Sequence, residues 1–266
     1  MRTILTFLFC LIVNQALAAV ALDGTPKTGL ISGAAASSVV SAAFTNTNAT
    51  AVLEVAVNTS NGSAVTVSSI ACGAVNPTLR KRVNNVGANF NHASLELWSA
   101  VLSSALTGQT CTATLSGTSN AATILVWAVS GENTGTPFDA NGALPASNTN
   151  LTASSTAPTV TVSTTNANTM LEICAGTIGT PLNGGSAPTL PTGFTTVGFA
   201  NGFSGSPNFF NGDIACAYEV VSSTQSSTAI TYGTATTEWQ TIGDAVQQSG
   251  GGATLAPQRA AVGVGQ

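Results

Sequence analysis

Three glutamates share one setting, an acid between two aliphatic residues: Leu53-Glu54-Val55, Leu95-Glu96-Leu97 and Leu171-Glu172-Ile173. Two carboxyl groups held about 5 to 9 Å apart on either side of a sugar ring would cleave a glycosidic bond. Strands could bring Glu54, Glu96 and Glu172 onto one face for that purpose. The plainer expectation is that each is a solvated charge on the wet face of a half-buried strand. Acid–base work has one further candidate, the single histidine His92. Its context, Asn89-Phe90-Asn91-His92, lacks the G-x-S-x-G elbow that would present a nucleophile, so an exposed loop histidine is expected.

Oxygen-rich loops could hold a structural calcium ion. Glu132, Asp139, Asn141, Asn211 and Asp213 are the candidate ligands, from loops 132–141 and 208–213. Neither loop has the dense D-x-D-x-D spacing of a dedicated calcium site, and no cofactor is expected otherwise. The basic triplet Arg80-Lys81-Arg82 could meet an anionic glycan, with alternation placing Arg80 and Arg82 on one side. A charged sheet edge that discourages edge-to-edge pairing is the simpler account. Four phenylalanines, Phe199, Phe203, Phe209 and Phe210, fall in or beside a Gly/Ser/Pro/Asn segment. They either cap a core or form a contact surface, with Phe199 assigned to the core and at least one of Phe209 and Phe210 to the surface; Phe203, Phe209 and Phe210 are the candidate binding residues. The triplets at Asn48, Asn58, Asn61 and Asn150 fit the N-x-S/T glycan-acceptor pattern.

The elements that must position these groups are strands. Period-2 alternation and β-branched residues dominate, no apolar stripe repeats every 3.6 residues, and Asn/Gly/Ser clusters such as Asn61-Gly62-Ser63 punctuate the chain. About a dozen short strands result, among them Ala51–Val57, Ser94–Leu102, Thr110–Leu115, Thr123–Val129 and Thr169–Ala175. That pattern predicts an all-β fold, a single antiparallel β-sandwich with one buried and one wet face. Leu53, Val55 and Val57 would point inward, as would Leu171, Ile173 and Ala175. Trp98, Trp127 and Trp239 are expected to pack in the core.

Residues 1–18 read as a signal peptide: Arg2, then an apolar run from Ile4 to Val13, then Ala16-Leu17-Ala18 at the cleavage position. The run falls short of the roughly 20 residues that span a bilayer, and no later segment reaches that length. Segment 19–29 precedes a domain at 30–247, and the Gly/Ala-rich stretch 248–266 reads as a flexible tail. After cleavage four cysteines remain, Cys72, Cys111, Cys174 and Cys216, and outside the cytoplasm an even count favours disulfides. Three pairings are open; Cys72 with Cys111 and Cys174 with Cys216 is preferred, against the alternative of four buried thiols. A loop of about 40 residues closed in this way stabilises by roughly 4 kcal/mol.

Composition narrows the function classes. The chain of 266 residues has 6 basic and 10 acidic side chains, 6% charged in all, with a net charge of −4. A typical soluble domain is about 25% charged. Nucleic-acid binding needs clustered cations and is excluded as the main device. Disorder is excluded by a hydrophobic content of 44%.

One stretch resembles a known module. Leu53 to Val57, Val65 to Gly73, Leu95 to Trp98, Thr110 to Gly117 and above all Ala128-Val129-Ser130-Gly131-Glu132-Asn133-Thr134-Gly135-Thr136-Pro137-Phe138-Asp139 are similar to a β-sandwich module recurrent in bacterial surface proteins and phage virion proteins. The likeness spans roughly residues 30 to 247. It implies a jelly-roll-like fold and a structural, display or adhesive role with no established chemistry. The expected function is therefore a secreted, non-enzymatic structural or adhesive surface component of an extracellular assembly or virion. It would meet a protein or glycan surface, self-assemble, and carry no transmembrane segment in its mature form. The alternative is a carbohydrate-binding module; a glycoside or ester hydrolase stands third.

Overall fold

The computed structural model describes residues 19–87, 92–155, 157–178, 182–204, 210–233 and 237–250. The segment 1–18 and most of the tail 248–266 lie outside the described residues. The first half of the chain forms β1 (Ala21–Leu22), β2 (Lys27–Val40), β3 (Val52–Asn61), β4 (Val67–Cys72), β5 (Thr78–Val86), β6 (His92–Val101) and β7 (Cys111–Ser130). The second half forms β8 (Ala146–Ser155), β9 (Thr159–Val162), β10 (Thr169–Thr177), β11 (Thr195–Ala200), β12 (Phe203–Ser204), β13 (Phe210–Asn211), β14 (Ile214–Val221), β15 (Thr228–Thr231) and β16 (Thr237–Gln247). Strand pairing thus begins at Ala21, inside segment 19–29.

Every strand pair is antiparallel. One seven-stranded sheet runs β1-β7-β3-β6-β5, with β2 and β4 also paired to β7, and a five-stranded sheet runs β11-β14-β10-β16-β8. Each sheet is therefore built from one continuous half of the chain. The two pack face to face as an all-β sandwich. Two small two-stranded sheets, β12–β13 and β9–β15, complete the fold.

Three apolar cores are stacked through the molecule. The first sheet curls on itself, so that Val67, Ile70, Ala113 and Leu115 meet Leu53, Val55, Val57 and Trp98. The second core fills the gap between the sheets, with Ala56, Leu95, Leu97, Leu125 and Trp127 facing Met170, Cys174, Ile242 and Val246. The third lies outside the second sheet, where Leu171, Ile173 and Ala175 meet Val160 of β9, Ile230 of β15 and Tyr232 just after it.

This stacking overturns the expectation of one wet face. Every residue of β3 and of β10 is buried, because each strand is sandwiched between two cores. Leu53, Val55 and Val57 do point into a core, but their alternating partners point into another. A central strand covered on both sides loses the in/out alternation of solvent contact. Disulfides join Cys72 to Cys111 and Cys174 to Cys216, in each case residues directly opposed on neighbouring strands.

Candidate functional site

The acids face inward. Glu54 and Glu96 are 0% exposed and Glu172 is 3% exposed, which corrects their reading as solvated charges. Alternation then decides their company. Glu54 shares parity with Ala56 and points into the gap between the sheets, as does Glu172 with Met170 and Cys174. Glu96 has the opposite parity to Leu95 and Leu97 and points into the first core beside Trp98. Glu54 and Glu172 therefore come together, while Glu96 does not join them.

The gap site is assembled from six strands. Trp127 of β7 lies directly opposite Glu54 on β3, and its indole Nε1 donates to Glu172 Oε1 across the gap at 2.8 Å. Glu172 is opposed within its own sheet by Asp244 on β16 and Tyr218 on β14. Arg80 reaches over from edge strand β5, donating to Asp244 Oδ2 from Nε at 3.1 Å and Nη2 at 2.6 Å. Its guanidinium also stacks 3.6 Å from the centre of the Phe138 ring. Both oxygens of Glu54 and Oε2 of Glu172 accept no hydrogen bond.

Electrostatics follow from that geometry. Burial, then the negative groups Glu172 and Asp244, push the Glu54 carboxyl well above its ordinary range, with Arg80 opposing. Burial likewise raises Glu172 to about 8, against the hydrogen bond from Trp127. Asp244 is raised by burial and pulled back by Arg80. The arrangement can store protons, and its carboxyl groups are closed off from solvent.

Glu96 has a different arrangement. Its Oε1 accepts from the Val67 backbone N–H at 2.7 Å and the Ser94 hydroxyl at 2.9 Å, and its Oε2 from Trp98 Nε1 and Arg82 Nη2, both at 2.9 Å. Arg80 and Arg82 thus serve different cores, not one side. The β5–β6 register slips between Leu79 and Lys81, and this bulge at Arg80 breaks the alternation that would have aligned them.

The other candidate residues are dispersed. Asp139 accepts from Asn141, Thr165 and Asn166, so it staples its own loop to the segment before β10. Burial opposes its ionisation, but these bonds outweigh it and hold the carboxyl below the usual range. Asp213 accepts from the Leu182 N–H beyond the other end of β10, and burial lifts it to about 6. Asp139 and Asp213 therefore sit at opposite ends of that strand. Glu132 is buried, Asn141 caps Ala143, and Asn211 is buried in β13. Among the described residues no group of three His, Cys, Asp or Glu is placed to hold a metal ion.

Phe210 is buried at 6% exposure and is removed from the candidate contact surface. Its ring closes on Gly62, where a Cβ would stand 3.4 Å away. Phe199 packs, half-buried, against the third core. The Phe203 side chain and Phe209 lie outside the described residues. His92 is no loop residue but opens β6, half-buried on a cavity of about 340 Å³ with Thr66, Asn84, Asn85 and Leu151. Asn58 is buried, donating to the carbonyls of Thr177 at 3.2 Å and Asp213 at 2.8 Å, whereas Asn48 is exposed.

Sequence reasoning missed three participants of the gap site, Arg80 as a partner, Asp244 and Tyr218. Asp244 carried a signal: it interrupts Ile242, Ala245 and Val246 as the glutamates interrupt their strands. A second cleft, of about 220 Å³, was also not foreseen; Pro191, Thr192, Phe194, Glu219, Thr228 and Thr231 line it. Comparison with protein-family models, with curated proteins and with solved structures returned no match.

Proposed function

We propose that the chain is a structural or adhesive component of an extracellular assembly or virion, acting through its outer surface. The observation that carries this reading is the position of its acids. Glu54, Glu96, Glu172 and Asp244 are all built into the cores, and Arg80 and Arg82 are turned inward to meet them. A chain with so few charges therefore presents an outer face rich in Ser, Thr and Asn, with exposed aliphatic residues such as Leu30, Val40 and Val101 among them. Low surface charge removes the repulsion that keeps soluble proteins apart and favours regular packing. Two disulfides suit an oxidising exterior. Electron microscopy of native material labelled with an antibody to this protein is the test. Label on a filament, envelope layer or capsid is expected; label on no ordered structure overturns the reading.

The cleft at Phe194 and Glu219 favours carbohydrate binding as the second reading. An aromatic ring, a half-buried carboxylate and hydroxyl groups around a space of about 220 Å³ offer a sugar ring a stacking surface and acceptors for its hydroxyls. A glycan array probed with the protein and its Phe194→Ala variant separates the two. Binding that falls at least tenfold in the variant selects this reading, and no binding by either eliminates it.

A further inference from the structure

The gap between the sheets holds three carboxyl groups, Glu54, Glu172 and Asp244, and one guanidinium, Arg80. Asp244 and Arg80 neutralise each other at 2.6 Å. Glu54 and Glu172 are left with no cation of their own. Around them stand Trp127 from β7, Ser99 opposite Glu54 on β6, Tyr218 opposite Glu172 on β14, and Asp139, which acts on Asp244 from the loop before β8. None of these supplies a positive charge. If all three carboxyls ionise, the gap carries two uncompensated negative charges in an apolar interior, where such charges are strongly disfavoured.

Both disulfides stitch strands within a sheet: β4 to β7 in the first, β10 to β14 in the second. Neither crosses the gap. The joint between the sheets therefore rests on the second core and on polar ties across it: the Trp127–Glu172 hydrogen bond and the Arg80–Asp244 pair at the carboxyl cluster, and, toward one end, Asn58 with Thr177, Asp213 and Gln240, Asn85 with Gln240 and Thr123 with Gly212.

We propose that this joint is a proton-held lock: protons on Glu54 and Glu172 keep the gap neutral, and their removal in alkaline solution loosens the two sheets from one another while each sheet stays intact. The sign follows from linkage. Below about 4.5 a carboxyl such as Glu172 is protonated whether the chain is folded or not. Between about 4.5 and about 8 the folded protein keeps a proton that the unfolded chain has lost, so raising the pH favours unfolding across that window. Above it the slope flattens. A surface component built this way is tightest in acidic surroundings, weakens as the pH rises through neutrality, and is released by alkali.

The test uses the full chain with its disulfides intact, followed from about pH 5 to about pH 10 by near- and far-ultraviolet circular dichroism and thermal melting. The near-ultraviolet signal of packed aromatics is expected to fall in alkali while the far-ultraviolet strand signal persists. Melting should drop by roughly 10 °C across the range. In the double variant Glu54→Gln, Glu172→Gln the dependence should shrink by more than half. Infrared spectroscopy of the wild-type protein at neutral pH should find a carbonyl band of protonated, buried carboxylic acid, which stands whether or not the variant folds. Absence of that band, a near-ultraviolet signal that holds in alkali, or a folded double variant with an unchanged profile overturns the proposal.

Discussion

Glu54 and Glu96 sit on adjacent strands of one sheet, each between two aliphatic residues and each fully buried, yet their surroundings are opposites. Glu96 turns toward the core of its own half, where β4, β5 and β6 supply four donors. Glu54 turns toward the other half and accepts nothing. A buried carboxylate surrounded by donors is an anchor whose charge is stabilising. One without donors is stable only when it carries a proton. One residue of parity separates these two fates.

Three changes would break or sharpen this contrast. The largest effect belongs to Glu96→Ala, which strands the Arg82 guanidinium and the Val67 N–H; denaturant melts should register a loss of about 3 to 5 kcal/mol. Next comes Glu54→Leu, which removes a group with nothing to lose. It should cost nothing and gain about 1 to 2 kcal/mol at neutral pH, with a larger gain in alkali. A loss as large as that of Glu96→Ala would erase the distinction. The smallest effect is at Asp23, an acid held by Thr47, Asn46 and Asn48. Burial resists its ionisation, but those bonds prevail and hold it at about 2. Its contribution is present above its ordinary 3.8 and is lost as the pH falls through about 2, the reverse of the gap carboxyls. Asp23→Asn should cost about 1 kcal/mol near neutrality and almost nothing in strong acid, as read from melts at both pH values.

Much of the β architecture was legible because alternation is a local signal. Central apolar strands such as Ala51–Val57 and Thr169–Ala175 nearly coincide with β3 and β10. What failed was information that resides in partners. Thr110–Leu115 and Thr123–Val129 read as two strands, yet β7 runs straight through the polar stretch between them, where Ser116 N–H bonds to Thr66 and Ser119 lies opposite Ala36. Polar β8 went unrecognised, since edge strands need little apolar surface, whereas basic β5 showed itself only as the charged edge at Arg80–Arg82 and not in its full length. The glutamates were picked out by their spacing, but whether each was wet, paired or protonated depended on Arg80, Arg82, Asp244 and Trp127. Two of those, Arg80 and Arg82, sit at and just beyond a bulge that one-dimensional periodicity does not reveal.

The division of the sandwich into two continuous halves has a consequence for biosynthesis. Residues 21–130 complete the first sheet before β8 begins, and the two cysteine pairs are separated by 39 and 42 residues, each within one half. A chain made from its N-terminus can therefore oxidise Cys72 and Cys111 while Cys174 and Cys216 are still to be added. Vectorial synthesis then suppresses the crossed pairings that would tie one half to the other. Refolding the full-length reduced chain removes that ordering, and scrambled bridges between the halves become accessible in a way that they are not during synthesis.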